Sequence, residues 1–213
     1  MKKIFIGGLD SSGTTITLNT ILSLGFATGT GKFREGQHDP NHPKALYKFT
    51  DSFDNKDKLQ IDSWINNFCD KKTKYFIEKT PGHFACFPAL YEMYGKDAHF
   101  IMLKRNPHDV VSSATRRWGP QDKERYGVIF ERVIQVDHIM VGLDNFQYLK
   151  YEDLCNHPFV SIKKCLGNIG IFFDDDILYK KVRKMNISKK NTYSESKHLE
   201  IKNIDILAKK WGY

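Results

Sequence analysis

Lys3-Ile4-Phe5-Ile6-Gly7-Gly8-Leu9-Asp10-Ser11-Ser12-Gly13-Thr14-Thr15 is the stretch that decides the fold. A short apolar run ending in glycine suits a strand buried on both faces. Gly8 to Gly13 is rich in turn formers and reads as a loop. From Thr14 to Leu24, Ile16, Thr20, Ile21 and Leu24 recur at helical spacing, and Gly25 stops the run. The chain therefore opens as strand, glycine loop, helix.

The loop has the glycine spacing of a P-loop, G-x-x-x-x-G-K-[ST]. Thr14 stands where the phosphate-binding Lys would be, and Thr15 keeps the hydroxyl. Backbone N–H groups at the helix start still suit a terminal phosphate. Without the Lys, and without an apolar strand leading to an Mg-binding Asp, the loop predicts phosphate binding but argues against ATP hydrolysis. The competing reading is a plain strand-to-helix turn.

Further along, Tyr75–Ile77, His99–Leu103 and Phe146–Leu149 read as strands. Helical patterns fall over 61–69, 84–94, 107–117, 123–140, 158–169, 174–185 and 204–211. Asn106-Pro107-His108-Asp109 is a helix start, with Asn as cap and Pro at the first helical position. Alternating strands and helices predict an α/β three-layer sandwich with a mainly parallel central sheet, P-loop NTPase-like, as one domain over 1–213. Ligands of such sheets sit beyond the carboxyl ends of the strands. Loops 8–15, 78–83 and 104–113 fall there.

Lys plus Arg number 33 and Asp plus Glu 25, so the net charge is 33 − 25 = +8, with a hydrophobic content of 40%. That balance fits a polyanionic partner, either a nucleic acid or membrane surface or a multiply phosphorylated small molecule. The sequence offers no basic helix face or aromatic strand platform for a nucleic acid. Cys69, Cys86, Cys155 and Cys165 show no CxxC and no metal-ligand spacing, so reduced thiols and no metal are expected. No apolar run approaches the ~18 residues of a membrane span. Met1 leads straight into the first strand, which predicts a cytoplasmic enzyme.

Arg105 ends a predicted strand, and Ser113 lies eight residues on in the following helix. Helical side chains tilt toward the N-terminus, so Ser113 points back toward Arg105. An Arg and a hydroxyl converging there make a phosphate clamp. An Arg105–Asp109 pair is the alternative.

Together these segments resemble the sulfotransferase superfamily, which uses 3′-phosphoadenosine 5′-phosphosulfate (PAPS). Ser12-Gly13-Thr14-Thr15 is similar to its 5′-phosphosulfate loop, commonly Lys/Arg-[ST]-G-T-T. Arg105 to Ser113 is similar to its 3′-phosphate motif, Arg-[ND]-P-x-[DE] with a Ser eight after the Arg. Phe76-Ile77-Glu78-Lys79-Thr80-Pro81 resembles the E-K-[ST] strand end of heparan-type and bacterial members, and Tyr151-Glu152-Asp153-Leu154 a recurrent strand-to-helix element. The ordered set covers roughly residues 3–160.

The resemblance implies that Ser11, Ser12, Gly13, Thr14 and Thr15 bind the 5′ end of the donor and that Arg105 and Ser113 bind its 3′-phosphate. Lys79 would lie near the sulfuryl group. Ser11 departs from the pattern, since members carry Lys or Arg there, and Lys79 is the residue that takes over. Glu35 is the first choice of catalytic base, with His38 and His83 behind it. Trp118 either stacks on adenine, lines the acceptor pocket or packs in the core. Lys189 and Lys190 are weak candidates for a basic C-terminal loop. PAPS is the expected co-substrate, with no metal, and the acceptor is a small molecule or carbohydrate bearing a hydroxyl or amine. The alternatives are a P-loop-like nucleotide or nucleoside kinase and a catalytically impaired nucleotide-binding homologue. Oligomeric state is not legible.

Overall fold

The computed structural model describes residues 1–30, 39–70, 72–184 and 200–213. β1 (Lys2–Gly8) is the middle strand of a five-stranded sheet. It is flanked by β3 (Tyr75–Lys79) and β4 (Ala98–Lys104), with β2 (Ala27–Gly29) and β5 (Phe146–Lys150) at the edges. The order β2-β3-β1-β4-β5 is parallel at every pairing. A parallel sheet must be covered on both faces, and Ile4, Phe5 and Ile6 are accordingly all fully buried.

Alternation along β1 divides the core in two. Phe5 joins Phe76, Phe100 and Met102 on one face. That face is covered by α2 (Asn55–Asn66), α3 (Phe87–Tyr94), α4 (Pro107–Trp118), α5 (Lys123–Met140) and α9 (Ile204–Trp211). Ile4 and Ile6 join Ile77, Ile101 and Leu103 on the other. There α1 (Thr14–Ser23), α6 (Tyr151–Asn156), α7 (Pro158–Asn168) and α8 (Asp175–Val182) pack. The result is the expected three-layer sandwich, parallel throughout.

Side chains fix several helix starts. Asp54 accepts from Asp57 N, Asn106 from His108 N, Asp122 from Glu124 N and Arg125 N, and Asp174 from Asp176 N and Ile177 N. The Asn106 cap is as expected from the sequence. Three boundaries differ from it. The second helix begins at Asn55, six residues before its apolar stripe, because Asp54 caps it there. The 84–94 run splits into a 3-10 turn over Pro81–Cys86 and then α3. β2 lies in a stretch to which the sequence reading assigns no strand.

After β1 the chain crosses to the β2–β3 side of the sheet, and from β3 it crosses back to β4 and β5. The carboxyl ends of β1, β3 and β4 therefore meet where the winding reverses, which is the binding position in such sheets. Among the described residues, no helix is long and apolar enough to cross a membrane.

Candidate active site

The loop after β1 is held by backbone that only particular residues tolerate. Gly8 has φ +150, and a Cβ there would lie 2.7 Å from Leu103 O. Gly13 has φ +94, with the Tyr151 ring 3.0 Å from any added Cβ. Ser11 adopts φ 63, a left-handed conformation uncommon for serine. Ser12 is fully buried, and its hydroxyl donates to Leu9 O at 2.5 Å. Its side chain thus closes the loop instead of facing outward. Gly13 caps α1 with no side-chain hydrogen bond, and no acid stands in the first turn of that helix. The amides at the start of α1 keep the positive end of the helix dipole.

Lys79 ends β3 in register with Ile6 of β1. Its side chain is fully buried, and Nζ donates to Thr15 Oγ1 at 2.9 Å. An ammonium on the adjacent strand therefore reaches the hydroxyl of the glycine-loop motif. Glu78, one residue earlier, points to the opposite sheet face. There it accepts from Thr80 Oγ1 at 2.8 Å and meets His83 Nδ1 at 2.8 Å.

Arg105 follows β4 and is 5% exposed. Its Nη1 donates to Ser11 O at 2.7 Å, and its guanidinium lies 4.5 Å from the centre of the Tyr151 ring. The alternative Arg105–Asp109 pair is not what forms, because the guanidinium is committed to the loop. Arg105 Nε and Ser11 Oγ are both buried without a hydrogen-bond partner, as is Asp109 Oδ1. Burial pushes the Asp109 carboxyl up from its ordinary pKa, against the opposing pull of Arg105. Ser113 is buried one turn beyond Asp109 on α4. Glu152, at the start of α6, accepts from Asn106 N at 3.4 Å and from the Tyr213 hydroxyl at 2.5 Å.

Of the residues named from the sequence, the structure brings Ser11 to Arg105 and Thr15 to Lys79. Gly13 and Thr14 lie at the start of the same helix. His83 is not brought to Lys79; it is enclosed beside Glu78 on the other face, because the 3-10 turn folds it back under the sheet end. Glu35, His38, Lys189 and Lys190 lie outside the described residues. Trp118 is 61% exposed, so it is not a core residue. Tyr151 is the site residue without a sequence-assigned role. It packs on Gly13 and carries Arg105, and its motif was visible although its contacts were not.

The loops after β1 and β4 thus meet beyond the carboxyl ends of a parallel α/β sheet, at its winding reversal. The sequence profile described as Sulfotransferase family matches residues 35–175, and the chain belongs to that family. No curated protein sequence matches it. Among solved structures it is similar to the sulfotransferase STF9 from Mycobacterium avium, at 10% identity and TM-score 0.67 over 99% of this chain and 76% of that one. It is similar to the sulfotransferase domain of the Synechococcus PCC 7002 olefin synthase, at 15% identity and TM-score 0.51 over 100% and 94%. It is also similar to mouse sulfotransferase SULT7A1, solved in complex with PAP, at 16% identity and TM-score 0.57 over 90% and 67%. At these identities the likeness establishes the fold.

Proposed function

We propose that this chain moves a sulfuryl group from PAPS to a hydroxyl or amine of a small-molecule or carbohydrate acceptor, working as one cytoplasmic domain over 1–213. The observation that carries the reading is the Arg105 Nη1 to Ser11 O bond at 2.7 Å, which ties the 3′-phosphate motif to the 5′-phosphosulfate loop. The residues present fit a donor carrying phosphate at both ends. Arg105 Nε and Ser11 Oγ are buried without partners, and α1 begins without a side-chain cap. An anion satisfies such groups.

The donor supplies an activated sulfuryl group whose leaving portion departs as the 3′,5′-bisphosphate. In this reading the backbone amides from Gly13 to Thr15 and the Thr15 hydroxyl hold its 5′ end. Arg105 and Ser113 hold the 3′-phosphate, with Tyr151 keeping the guanidinium plane in place. Lys79 stabilises the negative charge that grows on the leaving oxygen, the part usually taken by a cation in the loop. Glu35 accepts the acceptor's proton as the acceptor oxygen or nitrogen bonds to sulfur, and His38 is the substitute. Transfer of this kind resembles phosphoryl transfer, where positioning and charge stabilisation supply most of the catalysis.

Calorimetry against 3′,5′-adenosine bisphosphate and against Mg-ATP tests the donor. Binding of the bisphosphate without metal is expected, and tight binding of Mg-ATP alone overturns the reading in favour of a kinase. An acceptor screen with labelled PAPS, read by mass gain, then identifies the second substrate.

A further inference from the structure

We infer that His42, Glu78 and His83 form a binding site for a first-row divalent cation of the zinc type, joining the 39–43 segment to the end of β3. One ring nitrogen from each histidine and one Glu78 carboxylate oxygen lie within 4.8 Å of one another. Two imidazoles and a carboxylate are an ordinary zinc donor set, leaving a fourth position for water. This inference goes beyond the sulfuryl-transfer reading and does not depend on it. It also departs from the sequence-based expectation of no metal, which rested on cysteine spacing.

The first support is unsatisfied polarity in a dry place. His42 Nδ1 and Nε2 and His83 Nε2 are all buried without a hydrogen-bond partner. His83 is 1% exposed and Glu78 fully buried. Orphaned buried nitrogens are costly and call for a partner. A divalent cation held between His83 Nδ1 and Glu78 Oε2 satisfies one of the orphaned His42 nitrogens and offsets the Glu78 charge at the same point.

The second support is geometric. The two imidazole centroids are 4.9 Å apart. Two rings bound through nitrogen to one tetrahedral ion, with metal–nitrogen distances near ~2.0–2.1 Å, have centroids about 5 Å apart. The rings already stand at that separation. The Glu78 Oε2 to His83 Nδ1 contact at 2.8 Å holds two donors together.

The third support is the layer around the donors. Thr80 Oγ1 donates to Glu78 Oε1 at 2.8 Å, fixing the free carboxylate oxygen. The His83 amide donates to Thr80 O, which sets the turn that returns the imidazole to Glu78. Trp64 Nε1 holds Asp39 Oδ2 at 2.9 Å, and the Trp64 and Tyr47 rings lie 5.0 and 4.9 Å from His42. Oriented carboxylates within an apolar shell are what tune such sites.

The test uses the full chain, stripped with a chelator and dialysed into metal-free buffer. Titration with Zn(II) is expected to show one site per chain, with a rise in Tm on loading. Co(II) is expected to give visible bands of a four-coordinate nitrogen–oxygen centre without thiolate charge transfer. His42→Ala, whose ring is not fully enclosed, is expected to weaken Zn(II) by at least ~100-fold, and Thr80→Ala by ~10–100-fold. No stoichiometric binding to the parent chain overturns the inference, as does thiolate ligation of Co(II) or undiminished affinity in a folded His42→Ala. If His42→Ala does not fold, the Co(II) spectrum of the parent chain decides. Metal content needs neither donor nor acceptor, so failure here leaves the sulfuryl-transfer reading standing, and the reverse holds too.

Discussion

Replacing Arg105 with Met separates two jobs that the structure gives one side chain. Arg105 is 5% exposed, and Met preserves much of its apolar stem while removing the fork. The first job is internal. Losing the 2.7 Å bond leaves Ser11 O without its donor, at about 1–3 kcal/mol if the carbonyl stays dry. Losing the stack on Tyr151 at 4.5 Å removes about 0.5–2 kcal/mol more. Relief from burying a guanidinium offsets part of both. The second job is the proposed contact with the 3′-phosphate, a charge-assisted bond of about 1.5–3 kcal/mol, or ~10–150-fold in affinity. Calorimetry with 3′,5′-adenosine bisphosphate and with adenosine 5′-monophosphate tells them apart. Damage to the loop weakens both ligands alike, whereas loss of the phosphate contact weakens only the first. The ratio of the two affinities is therefore expected to fall by at least ~10-fold in Arg105→Met, with Arg105→Lys between it and the parent. Equal weakening of both ligands refutes the phosphate role and leaves Arg105 as a strut of the loop.

Other outcomes follow from the same geometry. Lys79→Met removes the ammonium at Thr15, and turnover on an acceptor from the screen is expected to fall ~10²–10³-fold while Tm holds or rises; retention of most activity sinks the proposal. Glu35→Gln is expected to lose turnover and keep bisphosphate affinity, and unchanged turnover removes Glu35 as base. Asp109 has a raised pKa, mainly through burial, so the folded chain holds that proton more tightly than the unfolded one. Its contribution is then greatest at low pH and is lost as pH rises through the folded pKa, so Asp109→Asn should raise Tm at pH 7 and flatten the decline above about pH 4. Thermal melts across pH check this, and parallel curves for the two proteins exclude it.

The legible parts of the molecule were those governed by local rules. Gly8 and Gly13 announce the loop because their backbone suits few other residues, and Asn106-Pro107 announces α4 because capping is local. β2 was not legible, being three residues long at an edge, where register with Tyr75–Ile77 and not side-chain pattern makes it a strand. Tyr151 could be placed in a motif but not given a contact. Its meeting with Arg105 depends on β5 lying beside β4, a pairing across more than forty residues. The His42–Glu78–His83 group had no signal in spacing. Glu78 and His83 are joined through a 3-10 turn in a stretch that reads as loop, and His42 arrives from a separate segment.

On the proposed reading, the departure in sequence at Ser11 is absorbed by topology. A cation at that position would sit on a residue with φ 63 whose carbonyl is already engaged by Arg105. Lys79 reaches the same loop from the side. Parallel pairing sets it level with Ile6, two residues before Gly8, and alternation turns it toward the α1 face and away from Glu78. From there its ammonium lies 2.9 Å from the Thr15 hydroxyl. Moving the charge from loop to strand exchanges a mobile, solvent-facing cation for one fixed by the core. A fixed cation needs little reorganisation when negative charge develops nearby, which is the condition under which electrostatic stabilisation is strongest. On the proposed reading this +8 chain therefore needs no basic residue in its glycine loop, because the neighbouring strand ends in Lys79.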